Sequence, residues 1–193
     1  MIIKIAEFVK SVASADKLGE FDLPQFAFVG RSNVGKSSLL NGLCNRLKLA
    51  KTSSTPGRTR LVNIFKINNQ FYFVDLPGYG YAKASKEAQK NWQKLIGTYL
   101  EFSHNLKRVF VLLDCRHKPT EKDLQMLDYL YAFQIPFSVI LTKTDKLSKM
   151  ELQKNKKMIS SFTKLGVDDL IDVSSEKKVN LEKIWAVIEQ DVI

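Results

Sequence analysis

Cysteine and histidine are scarce in this chain, and long apolar runs are missing. Cys44 and Cys115 are the two cysteines among 193 residues. They are too few and too far apart for a disulfide framework or a thiolate metal site, so a reducing, cytoplasmic setting is expected. His104 and His117 have no second ligand at metal-binding spacing and read as surface or turn residues. The longest apolar stretches, such as residues 109–113, are only a few residues long, whereas a membrane-spanning helix needs about 20. The opening Met1-Ile2-Ile3-Lys4-Ile5-Ala6-Glu7 has no basic flank leading into an extended apolar segment, so no secretory signal is read. Internal repeats, low-complexity tracts and interdomain linkers are also lacking. That leaves a single domain over residues 24–193, preceded by residues 1–23 as an N-terminal arm or an extra strand.

What is present is a globular composition with unevenly placed positive charge. With 45% apolar and 26% charged residues, the chain can bury a core without staples and is no disordered polymer. Thirty Lys and Arg against twenty Asp and Glu give a net charge of +10, and residues 31–108 alone carry fourteen against three. A basic region of this kind favours a polyanion through phosphate contacts and counterion release. The other reading is a solvated surface that binds no nucleic acid, and charge alone does not choose between them.

Residues 26–29, Phe-Ala-Phe-Val between Pro24 and Gly30, read as a buried strand. Leu39, Leu40, Leu43 and Leu47 predict a helix over residues 36–46 that opens inside a Gly-rich turn. Residues 50–60 are polar and basic, as in a loop. Strand-like residues 61–67 and 71–75, separated by Asn68-Asn69-Gln70, predict an antiparallel hairpin. A helix over residues 86–102 carries Trp92, Leu95, Ile96, Tyr99 and Leu100 on its apolar side. Strands over 109–114, 137–141 and 170–173 then alternate with helices over 120–133, 149–165 and 181–192, with Leu124, Leu127 and Tyr131 facing inward on the first of these. Phe110, Phe133, Phe137 and Trp185 read as core, and Lys154-Asn155-Lys156-Lys157 as a solvated helix face. Repeated strand–helix–strand units predict an α/β fold with a mostly parallel sheet covered on both faces. Residues 2–9 form either a further strand or a docked arm.

Three motifs carry chemistry. Gly30-Arg31-Ser32-Asn33-Val34-Gly35-Lys36-Ser37 matches G-x-x-x-x-G-K-[ST], between a predicted strand and a predicted helix. Its glycines let backbone N–H groups wrap a phosphate, Lys36 reaches the β- and γ-phosphates, and the Ser37 hydroxyl is placed for Mg²⁺ at the positive end of the helix. Asp75-Leu76-Pro77-Gly78 ends the second hairpin strand; there Asp75 can hold Mg²⁺ through water, and Gly78 can offer its N–H to the γ-phosphate. Thr142-Lys143-Thr144-Asp145 follows the strand over 137–141. Asp145 can accept two hydrogen bonds from guanine, a donor pair that adenine lacks, while the Lys143 stem lies along the base. Ser174-Ser175-Glu176 offers backbone to close over that base. Of Thr52, Thr55 and Thr59 in the basic loop, Thr59 is favoured as the hydroxyl that senses the γ-phosphate and completes the Mg²⁺ shell.

With these motifs in this order, the chain resembles the translation-factor class of GTPases and, within its TrmE-Era-EngA-EngB-septin-like superfamily, the EngB family of ribosome-assembly GTPases. The resemblance covers nearly the whole chain. It rests on the phosphate loop, on Thr55-Pro56-Gly57-Arg58-Thr59, on Asp75-Leu76-Pro77-Gly78-Tyr79-Gly80-Tyr81-Ala82, on Asp114-Cys115-Arg116-His117 and on Thr142-Lys143-Thr144-Asp145. Thr142, where G proteins at large carry asparagine, is normal for this family; Asn180 departs from a position that is commonly glycine.

The resemblance implies a P-loop G domain, with a mostly parallel six-stranded sheet and one antiparallel strand. It implies GTP or GDP contacts from Gly30, Arg31, Ser32, Asn33, Val34, Gly35, Lys36 and Ser37, and from Gly57, Arg58, Thr59, Arg60 and Leu61. Further contacts are implied from Asp75, Leu76, Pro77 and Gly78, from Thr142, Lys143, Thr144 and Asp145, and from Ser174, Ser175 and Glu176. Lys36, Thr59 and Asn33 are the candidate catalytic residues, with Mg²⁺ on Ser37, Thr59 and, through water, Asp75. Asn33 is also the candidate residue for K⁺ stimulation, since relatives with asparagine there use a monovalent cation. Tyr79 stands where Ras-like proteins carry the glutamine that orients water, so slow hydrolysis is expected. The implied partner is the large ribosomal subunit and its rRNA, in a cytoplasmic protein linked to cell division and septation that is monomeric off the ribosome. A static RNA-binding module that GTP merely stabilises is the other reading.

Overall fold

The sheet grows from a central strand whose side chains alternate between two faces. The structure is a computed structural model that describes residues 1–14, 17–19, 21–50, 61–79 and 86–192, without the side chains of residues 86–89, 91 and 92. The central strand β2 (Gln25–Gly30) is buried along its whole length. Because successive side chains point to opposite faces, Phe26 and Phe28 enter one core, and Ala27 and Val29 the other. Over the first face lie α1 (Lys36–Leu43) and α5 (Leu181–Val192), which bring in Leu39, Leu40, Ile184 and Trp185. Over the second lie α2 (Lys86–Phe102), α3 (Glu121–Ala132) and α4 (Lys149–Thr163), with Leu95, Tyr99, Met126, Leu130 and Ile159. An aromatic cluster fills the first face: Phe28 lies 5.0 Å from Phe73 and 5.1 Å from Phe110, and Phe73 stacks 5.8 Å from Trp185.

The remaining strands are β1 (Ala6–Val12), β3 (Val62–Ile67), β4 (Phe71–Asp75), β5 (Leu106–Asp114), β6 (Phe137–Thr142) and β7 (Ile171–Asp172), in the order β1-β3-β4-β2-β5-β6-β7. Strand β2 is parallel to β4 and β5, and β5, β6 and β7 continue the parallel set. Only β3, among the described residues, runs the other way, antiparallel to both β1 and β4. The sheet therefore has seven strands rather than the expected six. The additional one is β1, whose edge position lets its largely exposed sequence pair with β3 without a continuous buried face of its own. A bulge between Phe8 and Lys10 interrupts that pairing. The β3–β4 hairpin turns on Asn68 and Asn69, at φ 48° and 56°, with the Gln70 N–H donating to the Ile67 carbonyl at 2.9 Å. Two consecutive positive φ values are the geometry of a type I′ turn, which suits the twist of the strands.

Several local expectations are corrected. Helix α1 stops at Leu43, and Leu47 is 95% exposed beyond it; Asn45 takes a positive φ of 49° there, which ends the helical run. Tyr131 and Phe133 are exposed rather than inward, because Asp123, Met126, Leu127 and Leu130 form the buried stripe of α3. Phe133 instead rests on Tyr129, at 4.5 Å between ring centroids. Phe137 is half-buried under Tyr131, at 4.8 Å. Helix α4 ends at Thr163. Lys156 belongs to its buried side, not to a solvated face, and its ammonium pairs with Asp172 at 2.8 Å. The side chain of Trp92 lies outside the described residues.

Candidate nucleotide-binding site

Strand order reverses beside β2: the next strands in the chain, β3 and β4, lie on one side of it and β5 on the other. The carboxyl ends of parallel strands open a crevice at such a switch point. The phosphate-loop motif leaves β2 into that crevice, and Gly35, at φ 106°, immediately precedes α1. That left-handed conformation disfavours any residue with a Cβ. Gly30 is required for a different reason. A Cβ on it would meet the Leu112 carbonyl oxygen at 2.9 Å. Asn33 is exposed and also left-handed, at φ 63°.

The Asp75 segment packs directly on this loop. A Cβ on Gly78 would lie 3.1 Å from the Gly30 carbonyl oxygen and 3.2 Å from the Ser32 nitrogen. Tyr79 donates its N–H to Gly30 at 3.2 Å and accepts from the Ser32 N–H at 3.2 Å. Asp75, 4% exposed, forms an ion pair with Lys36 and accepts from the Asn63 amide at 3.4 Å. Thus the lysine and the carboxylate of the two phosphate-binding motifs are in contact. The side-chain hydroxyl of Tyr79 donates to Asp123 at 2.8 Å, with both residues buried. Burial, seconded by that carboxylate, pushes the phenol well above its ordinary range.

The third motif is tied to the same loop from the far side. Thr142, at the end of β6, donates its hydroxyl to the Val34 carbonyl at 2.6 Å. Lys143, left-handed at φ 62°, donates to the Asn33 carbonyl at 2.8 Å and pairs with Asp114 at 3.0 Å. Burial opposes ionisation of Asp114, but hydrogen bonds from Arg116 and Lys143 outweigh it and hold the carboxyl well below the usual carboxylate range. Asp145 accepts the Ser174 hydroxyl on Oδ1 at 2.6 Å, the leading reason its own pKa is lowered. Its Oδ2 is buried and has no hydrogen-bond partner among the described residues; Lys146 supplies charge from 3.0 Å without hydrogen-bond alignment. Ser174 is itself held by exchange with Val179 and by the Lys177 N–H at 3.0 Å. Glu176 pairs with Lys146 at 2.9 Å.

Asn180 takes a left-handed φ of 60° and donates its amide to the Asp172 carbonyl at 2.9 Å and the Asp172 carboxylate at 3.1 Å. The position needs positive φ, which asparagine tolerates better than other non-glycine residues. Its amide adds an anchor that glycine could not.

Of the anticipated site residues, the phosphate loop is tied to Asp75, Gly78, Thr142 and Lys143 by the contacts above, and Asp145 is tied to Ser174 and, through Lys146, to Glu176. Leu61 stands just before β3. Gly57, Arg58, Thr59 and Arg60 lie outside the described residues, as do Thr52, Thr55 and the Gly80-Tyr81-Ala82 string. Sequence reasoning missed Asp123, which reads as an ordinary acidic residue in the first turn of a helix, and Asp172. No cluster of three or more His, Cys, Asp or Glu among the described residues could hold a metal unaided. The hydroxyl of Ser37 and the carboxylate of Asp75 nevertheless suit Mg²⁺, which takes one or two protein oxygens and completes its shell with phosphate and water.

This fold, with a glycine-framed phosphate loop and a carboxylate over the next strand end, defines a P-loop GTP-binding domain. The family model described as 50S ribosome-binding GTPase matches residues 25–143. A probable GTP-binding protein EngB from Clostridium kluyveri is 50% identical over 190 residues, 98% of this chain and 96% of that protein. A crystal structure of a probable GTP-binding protein EngB superposes with a TM-score of 0.72 at 23% identity, covering 87% of this chain and 98% of that one. Era from Aquifex aeolicus, solved as a point variant bound to GDP.AlF4-, superposes at 0.71 with 24% identity, over 88% of this chain and 57% of its own. The chain belongs to the EngB family of GTP-binding proteins.

Proposed function

We propose that the chain is a GTP-hydrolysing switch that acts on the large ribosomal subunit during its assembly, with low intrinsic turnover and a link to cell division and septation. The observation that carries the nucleotide part is Asp145: one oxygen is fixed by Ser174, and the other is buried with the Lys146 ammonium 3.0 Å away and no aligned hydrogen bond. A carboxylate so placed keeps lone pairs for further donors, and guanine brings a matching pair. The backbone of Ser174, Ser175 and Glu176 closes over the base, and the Lys143 stem lies beside it.

In this reading the N–H groups of residues 30–37 cradle the phosphates, and Lys36 exchanges its contact with Asp75 for the β- and γ-phosphates. Mg²⁺, held by Ser37, Thr59 and, through water, Asp75, would neutralise charge on those phosphates. Gly57, Arg58, Arg60 and Leu61 are, with Thr59, the further nucleotide contacts of this reading, and Leu76 and Pro77 carry Gly78 to the γ-phosphate. Asn33 assists a K⁺ ion there. Slow turnover follows from Tyr79, which stands in the place of a water-orienting glutamine and whose side chain is committed to Asp123.

The ribosomal part draws support from the description of the matching family and from the basic region over residues 31–108. No helix among the described residues is long and apolar enough to cross a membrane; the reading is of a cytoplasmic protein, monomeric off the ribosome. Calorimetry with GTP and ATP tests the nucleotide reading, and equal affinities would overturn it. Co-sedimentation with large ribosomal subunits across a salt series, under GTP analogue, GDP and no nucleotide, tests the rest. Binding indifferent to nucleotide would favour a static RNA-binding module instead.

A further inference from the structure

The segment from Asp75 to Tyr79 is fastened at both ends. At its start, Leu76, fully buried, donates its N–H to the Phe28 carbonyl of β2 at 3.0 Å. At its end, Tyr79 is stitched to the phosphate loop by two backbone hydrogen bonds and to α3 by its side chain. Gly78 lies between these fastenings, against Gly30 and Ser32, where a Cβ would sit tightly on backbone atoms at 3.1–3.2 Å. The acceptor for the Tyr79 hydroxyl is no loose surface carboxylate. Asp123 is 3% exposed, and its other oxygen accepts both the N–H and the hydroxyl of Thr120 at 2.7 Å, closing the first turn of α3.

We propose that Tyr79 is a positioning residue for the γ-phosphate, and that its hydroxyl bond to Asp123 holds the Gly78 N–H at the phosphate loop, where it distinguishes GTP from GDP. The inference rests on the nucleotide reading above and adds to it the group that sets where Gly78 stands. The backbone hydrogen bonds of Tyr79, at 3.2 Å, are long and leave the peptide freedom to swing. A buried hydroxyl-to-carboxylate bond is charge-assisted and shorter, and it removes that freedom. The anchor spans two elements, so the position of Gly78 is referred to α3 as well as to β2. Tyr79 thereby touches no substrate and acts through its neighbour.

The test compares Tyr79→Phe with wild type and with Thr120→Ala, using calorimetry with a non-hydrolysable GTP analogue and with GDP. Tyr79→Phe keeps the ring and its packing and removes only the hydroxyl. Its affinity for the triphosphate analogue is expected to fall about three- to ten-fold, the scale of one lost hydrogen bond, with GDP affinity unchanged and kcat reduced more than KM rises. Thr120→Ala weakens the α3 cap but keeps the Tyr79–Asp123 contact, so it lowers the melting temperature and leaves the ratio of the two affinities alone. An unchanged ratio in Tyr79→Phe, or an equal fall for both nucleotides, overturns the proposal while the nucleotide reading stands. A wild type that fails to bind guanine nucleotides overturns both.

Discussion

Thr142 and Val34 are 108 residues apart in sequence, yet the hydroxyl of one donates to the carbonyl of the other at 2.6 Å within the core. This bond, with that from Lys143 to the Asn33 carbonyl at 2.8 Å, joins the end of β6 to the phosphate loop, so the two motifs share one reference. Thr142→Val keeps the shape and leaves the Val34 carbonyl buried without a donor. A loss of about 1–3 kcal/mol is expected in urea denaturation, with Thr142→Ser close to wild type. Equal stability of the valine variant would show that water replaces the bond.

Asp145→Asn exchanges one acceptor for a donor at the carboxylate proposed to read the base. Affinity for GTP should fall by at least about a hundred-fold, and xanthine nucleotides should bind better than GTP. Competition calorimetry checks this, and retained GTP preference would assign base recognition elsewhere.

The carboxyl of Asp114 titrates well below an ordinary carboxylate because Arg116 and Lys143 outweigh its burial. A depressed folded-state pKa contributes stability above the unfolded value of about 3.9, and that contribution is lost as pH falls through the folded value. Asp114→Asn should therefore destabilise the protein at neutral pH, and its deficit relative to wild type should shrink below about pH 4. Melting curves over that range read the sign directly. A deficit independent of pH would mean that the two cations contribute nothing through charge.

Glycines separate by position. Gly30→Ala places a methyl 2.9 Å from the Leu112 carbonyl oxygen, against backbone that cannot rotate away, and a loss of about 1–3 kcal/mol is expected. In Gly42→Ala, within α1, the methyl meets Leu181 at an ordinary 3.5 Å. Helix propensity should then dominate, with a gain of up to about 1 kcal/mol. Chemical denaturation of the two variants side by side would reveal any reversal of order.

Asn33 is the residue proposed to assist a K⁺ ion. GTP hydrolysis is expected to run faster in K⁺ than in Na⁺, and Asn33→Ala should lose the difference. Identical rates in the two salts would remove the cation from the site.

The parts of this molecule that were legible in sequence are those where one local rule decides. The unbroken apolar run of residues 26–29 between Pro24 and Gly30 marks a buried strand, Asn68-Asn69 marks the hairpin, and the phosphate loop carries its own geometry in Gly30 and Gly35. The parts that were not legible depend on partners distant in sequence. Lys156 sits in a basic run that looks solvated, and only the fold shows that Asp172 lies beneath it. Asp123 becomes a buried acceptor because Tyr79, 44 residues earlier, arrives at the start of α3. Leu47 keeps the helical spacing of Leu39 and Leu43, but Asn45 turns the chain out of the helix before reaching it. The N-terminal segment could be read as strand or as arm, because an edge position demands no continuous apolar pattern.

That edge strand has a practical consequence. By pairing with β3 over Ala6–Val12 it covers a row of main-chain donors and acceptors that would otherwise face solvent, and uncovered rows of this type recruit other polypeptides. Trimming the first dozen residues, or fusing a purification handle that pulls them away, should turn a well-behaved preparation into one that self-associates on concentration.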